Sequence, residues 1–191
     1  MNDTTSSTNQ VPGQLIILNG TSSAGKSSIA KALQEKLSEV FLHVQMDTFW
    51  DMLPPSKNPH MLNIKAEMRY ALPDVVGVFV NRGKNVILDI VCGQKTVELY
   101  QKYHPYLVAI KPELEVVKVR EIGRGDREIG LAESQRSLVS EGILYDLEID
   151  NSSLTVAQTA DKIIEAYTQA KCSSTLPEAV RVRPETLSGI A

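Results

Sequence analysis

Apolar positions along the chain fall into two alternating patterns. Short continuous runs at QLIILN (14–19), FLHVQM (41–46), NVILDIV (85–91) and PYLVAIK (105–111) each predict a buried strand. YDLEID (145–150) alternates apolar and polar positions and predicts a fifth. Between these runs the spacing turns helical. Ile29, Leu33, Leu37 and Val40 predict a helix from Lys26 to Val40. Met61, Ile64, Met68, Val75 and Phe79 predict a longer one, which Pro73 should kink or split and Gly83 should stop. A short helix is expected over Thr96–Tyr103. Another begins at Pro112, and a further one runs to about Glu141, where Gly142 can cap it. Thr155 and Gln158 have the spacing of a capping box for a last helix, whose stripe is Val156, Ala160, Ile163, Ile164 and Tyr167.

Five strands alternating with helices predict an α/β, three-layer fold: a parallel sheet with helices on both faces. The ordered unit is expected over residues 14–172. Residues 1–13 (MNDTTSSTNQVPG) are polar and read as a loose arm, and 173–191 as a tail. LPPSKNPH (53–60) is a Pro-rich loop. Ligands of open parallel sheets bind beyond the carboxyl ends of the strands, which directs attention to 19–28, 47–54, 89–96, 111–127 and 150–153.

Composition narrows the function classes. The chain of 191 residues is 42% hydrophobic and 23% charged, ordinary for a globular domain. Twenty basic residues against 23 acidic ones give a net charge of −3 without a basic run, which argues against a nucleic-acid grip. No apolar stretch approaches the ~18 residues of a membrane span. The N-terminus lacks the charged start and apolar core of a secretion signal, so a cytoplasmic protein is expected. Cys92 and Cys172 lie far apart without metal-ligand spacing, and a disulfide framework or zinc site is not expected. His43, His60 and His104 likewise suggest no metal; His43 reads as a packing residue of its strand.

The chemistry concentrates in four places. Gly20-Thr21-Ser22-Ser23-Ala24-Gly25-Lys26-Ser27, followed by Ser28, fits the phosphate-binding pattern of Gly, four residues, then Gly-Lys-Ser. The glycines let successive N–H groups turn toward phosphate oxygens, Lys26 reaches the β- and γ-phosphates, and the Ser27 hydroxyl can sit on Mg²⁺. The motif follows an apolar strand and opens an amphipathic helix, which is the setting it requires. Asp47 follows the second strand in MDTFWDMLPP; there it can take a proton from an attacking hydroxyl or help hold Mg²⁺, the lesser alternative being a cap for a short turn. Asp89 ends the third strand; a buried carboxylate needs a partner, either Mg²⁺ held with Ser27 or loop N–H groups. Arg120, Arg124 and Arg127 cluster in KVREIGRGDR, either as a lid over the phosphates or as a solvated face paired with Glu121, Asp126 and Glu128. Trp50 and Leu53, just after Asp47, suit an apolar or aromatic acceptor pocket, although packing explains several of their neighbours.

The order IILNGTSSAGKSS, the Asp47 segment ending at Pro54, VILD, REIGRGDR and EGILYDLEIDNS resembles the chloramphenicol 3-O-phosphotransferase family over roughly residues 14–170. The combination of SSAGKS with RGDR and a following EG-x-x-YD-x-E-x-D is far more specific than the first motif alone. The resemblance implies a P-loop NTPase fold like that of shikimate and nucleoside monophosphate kinases, with a lid at about 112–130. It implies ATP as phosphate donor with Mg²⁺, a small-molecule hydroxyl acceptor, and Asp47 as the base. It also implies Gly20–Ser27 as the holder of ATP, with Arg120, Arg124 and Arg127 in or near the lid. The family's longer insert after the Asp47 segment is replaced here by a short Pro-rich stretch, and Ile90 stands where an acidic residue follows the strand aspartate. Two other readings remain beside it: a metabolic or nucleotide kinase with another acceptor, and a nucleotide-sensing module with little catalysis. The sequence leaves monomer and homo-oligomer equally open.

Overall fold

The computed structural model describes residues 11–54, 60–125 and 129–173. The five expected strands form: β1 (Leu15–Asn19), β2 (Phe41–Gln45), β3 (Asn85–Ile90), β4 (Tyr106–Ile110) and β5 (Leu147–Ile149). All pair in parallel, in the order β2-β3-β1-β4-β5. With β1 central and both faces covered, every one of its residues is buried, which is why it reads as a continuous apolar run. The pleat sends Leu15 and Ile17 to one face, against Leu72, Val76 and Val80 of α3 (Met61–Asn81). Ile16 and Leu18 go to the other, against Ile29 and Leu33 of α1 (Lys26–Lys36) and Ala160 and Ile163 of α7 (Val156–Ser173).

The remaining helices are α5 (Leu114–Arg124) and three short ones, α2 (Met46–Trp50), α4 (Gln94–Glu98) and α6 (Leu131–Ser134), with a 3₁₀ turn at Gln101–Tyr103. The chain leaves β1 toward β2 on one side and leaves β4 toward β5 on the other. The carboxyl ends of β1 and β4 are therefore the switch point at which such sheets bind ligands. No helix among the described residues is long and apolar enough to cross a membrane.

Several boundaries differ from expectation. α1 ends at Lys36, with Leu37 extended and Val40 85% exposed, because the chain must turn to enter β2. β2 stops at Gln45, and Met46 already belongs to α2. α3 runs unbroken through Pro73, although proline deletes one helical hydrogen bond. Its anchors on the sheet, Leu72 and Val76, flank Pro73 and are fully buried. The buried stripe is Leu72, Val76 and Val80, one position on from Val75 and Phe79, while Ile64 is exposed.

The helix expected to reach Glu141 covers only Leu131–Ser134. Beyond it the chain is shaped by side-chain bonds: Gln135 reaches the loop after β1, and Tyr145 Oη accepts from Asn19 Nδ2 and donates to the Val139 carbonyl. The capping box at Thr155 and Gln158 forms in both directions. At the N-terminus Gly13 is already fixed, its N–H donating to the Val80 carbonyl at 2.8 Å, so only residues 1–10 of the expected arm lie outside the described residues. Residues 174–191 of the expected tail and 55–59 of the Pro-rich loop also lie outside them.

Candidate active site

The loop from Gly20 to Ser27 joins β1 to α1 at the centre of the sheet. Its conformation depends on left-handed backbone at Ser23 (φ 57°) and Gly25 (φ 96°), the alternation that makes consecutive N–H groups face one concavity. Gly20 is required for a different reason. A Cβ there would lie 2.5 Å from the Ile110 carbonyl oxygen, inside the backbone of β4. Thr21, Ser22 and Ser23 are buried, and Ser23 Oγ is buried without a hydrogen-bond partner. Buried hydroxyls are rarely left so, and this one fits a loop whose partner is a ligand.

Lys26 follows, 7% exposed, with Nζ donating to the carbonyls of Gly20 (3.0 Å) and Thr21 (2.9 Å). The same ammonium lies 3.7 Å from Asp89 Oδ1. Ser27 Oγ donates to Asp89 Oδ2 at 2.5 Å. Asp89 thus has charged and polar company from the start of α1, as its burial requires. Burial pushes the Asp89 carboxyl up, but His43, Lys26 and the Ser27 hydroxyl pull it down further, and it ends below the ordinary carboxylate value. His43, expected only to pack, lies with Nε2 3.8 Å from Asp89 Oδ2. No group of three or more His, Cys, Asp or Glu among the described residues could hold a metal. A hydroxyl and one carboxylate nonetheless fit Mg²⁺, which keeps several waters and takes further oxygens from phosphates.

Asn19, at the end of β1, ties the floor of the site together. Its Nδ2 donates to the Cys92 carbonyl (2.9 Å) and to Tyr145 Oη (2.8 Å), and its Oδ1 accepts from the Cys92 N–H (3.0 Å). Cys92 itself is inert: burial pushes its thiol up to about 12.

The arginines separate. Arg120, half-buried on α5, donates from Nη1 to the Ala24 carbonyl (3.3 Å) and from Nη2 to the Asn151 carbonyl (3.2 Å). Asn151 Nδ2 also donates to Ala24 O, so one carbonyl of the phosphate loop is gripped from both sides. Arg124 is exposed at the end of α5, and Arg127 lies outside the described residues. Glu121, placed with the arginines as a partner on a solvated face, is 1% exposed instead. It accepts from the N–H groups of Gly130 and Ala132 and so fixes the start of α6. Gln135, just past α6, accepts from the Ser22 N–H at 2.7 Å, joining this segment to the phosphate loop.

On the other side of the loop, Gln45 pairs in register with Asp89, and Asp47 lies two residues beyond it in the first turn of α2. Asp47 and Trp50 are one helical turn apart, both half-buried. Leu53 is half-buried and its N–H donates to the Trp50 carbonyl. Ser28 is exposed on α1.

The chain and its fold have counterparts among known proteins. A family model described as chloramphenicol phosphotransferase-like protein matches residues 13–168. The chain belongs to the chloramphenicol phosphotransferase-like family. Its relatives include the "Putative O-phosphotransferase Rv2636" of Mycobacterium tuberculosis, 27% identical over 188 residues, which cover 81% of this chain and 82% of the relative. Among solved structures, the Mycobacterium tuberculosis APS kinase CysC is similar with a TM-score of 0.62 at 18% identity, covering 82% of this chain and 98% of that one. Shikimate kinase from Aquifex aeolicus gives a TM-score of 0.58 at 17% identity, covering 83% and 99%. The fold is that of the P-loop kinases, and this member of the chloramphenicol phosphotransferase-like family is a kinase.

Residues that carry no sequence motif also build this candidate site. Asn19 ends β1 and Asn151 lies two residues past β5, where the strand-end rule already pointed, but nothing marks one asparagine as a clamp. Glu121 and Gln135 sit in a polar stretch that looks uniformly solvated, and only packing separates them from their neighbours.

Proposed function

We propose that this protein transfers the γ-phosphoryl group of ATP to a hydroxyl group of a small molecule. The observation that carries the reading is the phosphate loop with Asp89 behind it, flanked by Asp47 at the end of the adjoining strand. Loop N–H groups and the N-terminus of α1 hold the phosphates. Lys26, kept in place by the loop's own carbonyls, turns to the β- and γ-phosphate oxygens. Ser27 and Asp89 are the residues that would hold Mg²⁺, which neutralises charge on the phosphates when bound. Asp47 takes the proton of the acceptor hydroxyl as its oxygen attacks phosphorus. Arg120, which already holds the loop at Ala24, lies where it can meet charge on the transferring group, and Arg124 and Arg127 continue that basic segment as a lid over about 112–130. Phosphoryl transfer needs little more than such positioning and charge.

Trp50 and Leu53 border the acceptor. The catalytic unit spans 14–172. The test is transfer from ATP to a panel of hydroxyl compounds that includes chloramphenicol, read by mass spectrometry as a gain of one phosphate. Asp47→Asn is expected to lower kcat about 10²–10⁴-fold while ATP affinity stays near that of wild type. An Asp47→Asn enzyme with full turnover removes Asp47 as the base. ATP binding with slow hydrolysis and no acceptor modified by a broad panel favours a nucleotide-sensing module instead.

A further inference from the structure

Trp50 is the chain's single tryptophan, and two cations of α3 lean on it. Lys65 Nζ is 5.5 Å and Arg69 Cζ 5.9 Å from its ring centroid. Lys65 and Arg69 are one turn apart on the same helix face, and both are half-buried. Among the described residues neither is paired with a carboxylate. Lys36, Lys102, Lys111 and Lys118, by contrast, each have a carboxylate partner. Glu67, the nearest acid in sequence, is exposed two positions along the helix, roughly on its opposite side.

Stacking on the indole holds a guanidinium in place without using its N–H donors. Trp50 adds a third donor: Nε1 is buried and has no partner among the described residues. Cys92, two residues past β3, lies within range of both the Arg69 and the Lys26 charge. Asp47 stands one turn before Trp50 on α2. Two cations therefore sit against the face of a ring that lies one helical turn from the proposed base, and neither has a carboxylate partner among the described residues.

We infer that the hydroxyl acceptor carries an oxyanion (a carboxylate, phosphate or sulfate) bound by Lys65, Arg69 and Trp50 Nε1. This rests on the reading of the chain as an O-phosphotransferase and names the acceptor class of that same site. A neutral acceptor leaves the buried Trp50 Nε1 without a partner and supplies nothing to match the two cations.

Trp50 makes the test direct. Wild-type protein is saturated with the non-hydrolysable ATP analogue AMPPNP, which fills the phosphate loop. It is then titrated with sodium sulfate while sodium chloride keeps ionic strength constant, and tryptophan emission is followed. A saturable change is expected, with affinity about 10–100-fold weaker in Lys65→Gln/Arg69→Gln and partly restored by Arg69→Lys. Thermal melting of each variant separates loss of the site from loss of the fold. An absent saturable change, or an equal one in folded Lys65→Gln/Arg69→Gln, overturns the inference. Transfer confined to neutral hydroxyl compounds, at wild-type rates in that variant, overturns it as well. Failure of AMPPNP to bind counts against the O-phosphotransferase reading alone, since the sulfate response of wild type and variant can still be compared.

Discussion

Gly20 and Gly25 both belong to the phosphate motif, yet the structure requires glycine at each for a different reason, and the two alanine variants should fail differently. At Gly25 the φ of 96° strains any L side chain, but an added Cβ meets nothing closer than Asn151 Nδ2 at 3.5 Å. The strain is conformational, about 1–2 kcal/mol, and is offset by about 0.4–1 kcal/mol from restricting the unfolded chain. A net of roughly 1 kcal/mol corresponds to a Tm drop of about 2–4 °C for a chain of this size. At Gly20 the new Cβ would lie 2.5 Å from the Ile110 carbonyl oxygen, which is sheet backbone and cannot swing aside. Overpacking of this kind costs about 1–3 kcal/mol or more, so the drop should reach roughly 2–12 °C and exceed that of Gly25→Ala. Nucleotide binding should order the variants the other way relative to their stability. Relief of strain at Gly25 re-aims N–H groups that face the phosphates, and loss of one charge-assisted bond weakens binding about 10-fold or more. Thermal melting followed by circular dichroism and titration with a fluorescent ATP analogue read the two effects separately. If Gly20→Ala melts at or above Gly25→Ala, the close approach of the loop to β4 is not what constrains the motif. If Gly25→Ala binds nucleotide as wild type does, the left-handed turn is not what forms the cradle.

Three further outcomes follow from the same geometry. Because its folded-state pKa is depressed, Asp89 contributes stability that is present above its unfolded value and lost as pH falls through the folded one; the Tm gap between wild type and Asp89→Asn should therefore narrow as pH drops from 7 to below 3.8, and a constant gap refutes the assignment. Glu121→Ala leaves the Gly130 and Ala132 N–H groups without their acceptor and should destabilise by about 2–4 kcal/mol, with Glu121→Gln milder because one acceptor oxygen remains; equal melting of both variants and wild type would place Glu121 outside the fold's hydrogen-bonding. A thiol reagent at pH 8 should label Cys172, which is exposed, and spare Cys92, whose thiol burial holds near 12, until the protein is denatured; peptide mass spectrometry distinguishes the two.

The sequence by itself determined the architecture. Four apolar runs of strand length and a fifth, alternating segment, separated by helical spacing, admit little besides a parallel sheet covered on both faces, because strands buried on both faces read as continuous apolar runs and an alternating one suits the edge. It also determined the phosphate loop and the carboxylates at strand ends, since Gly20, Gly25, Lys26, Ser27, Asp47 and Asp89 occupy positions defined by local chemistry and by the ends of their own strands. The capping box at Thr155 and Gln158 was legible for the same reason: both partners lie within one turn.

Tertiary structure decided whatever depends on partners far apart in the chain. Pro73 reads as a break, but Leu72 and Val76 hold α3 to the sheet across it. The segment after Leu131 reads as one helix to Glu141, but Glu121, Gln135 and Tyr145 tie it to distant groups and shorten it. Arg120 reads as one of three equivalent arginines, yet only its place on α5 puts it against Ala24 and Asn151. Lys65 and Arg69 carry no motif at all; they become a candidate site because α3 crosses beside α2 and brings both cations to Trp50. Periodicity and motifs record interactions within a turn or along a strand. A hydrogen bond or a cation–ring contact between residues many positions apart leaves no periodic trace, and only the packed chain brings its partners together.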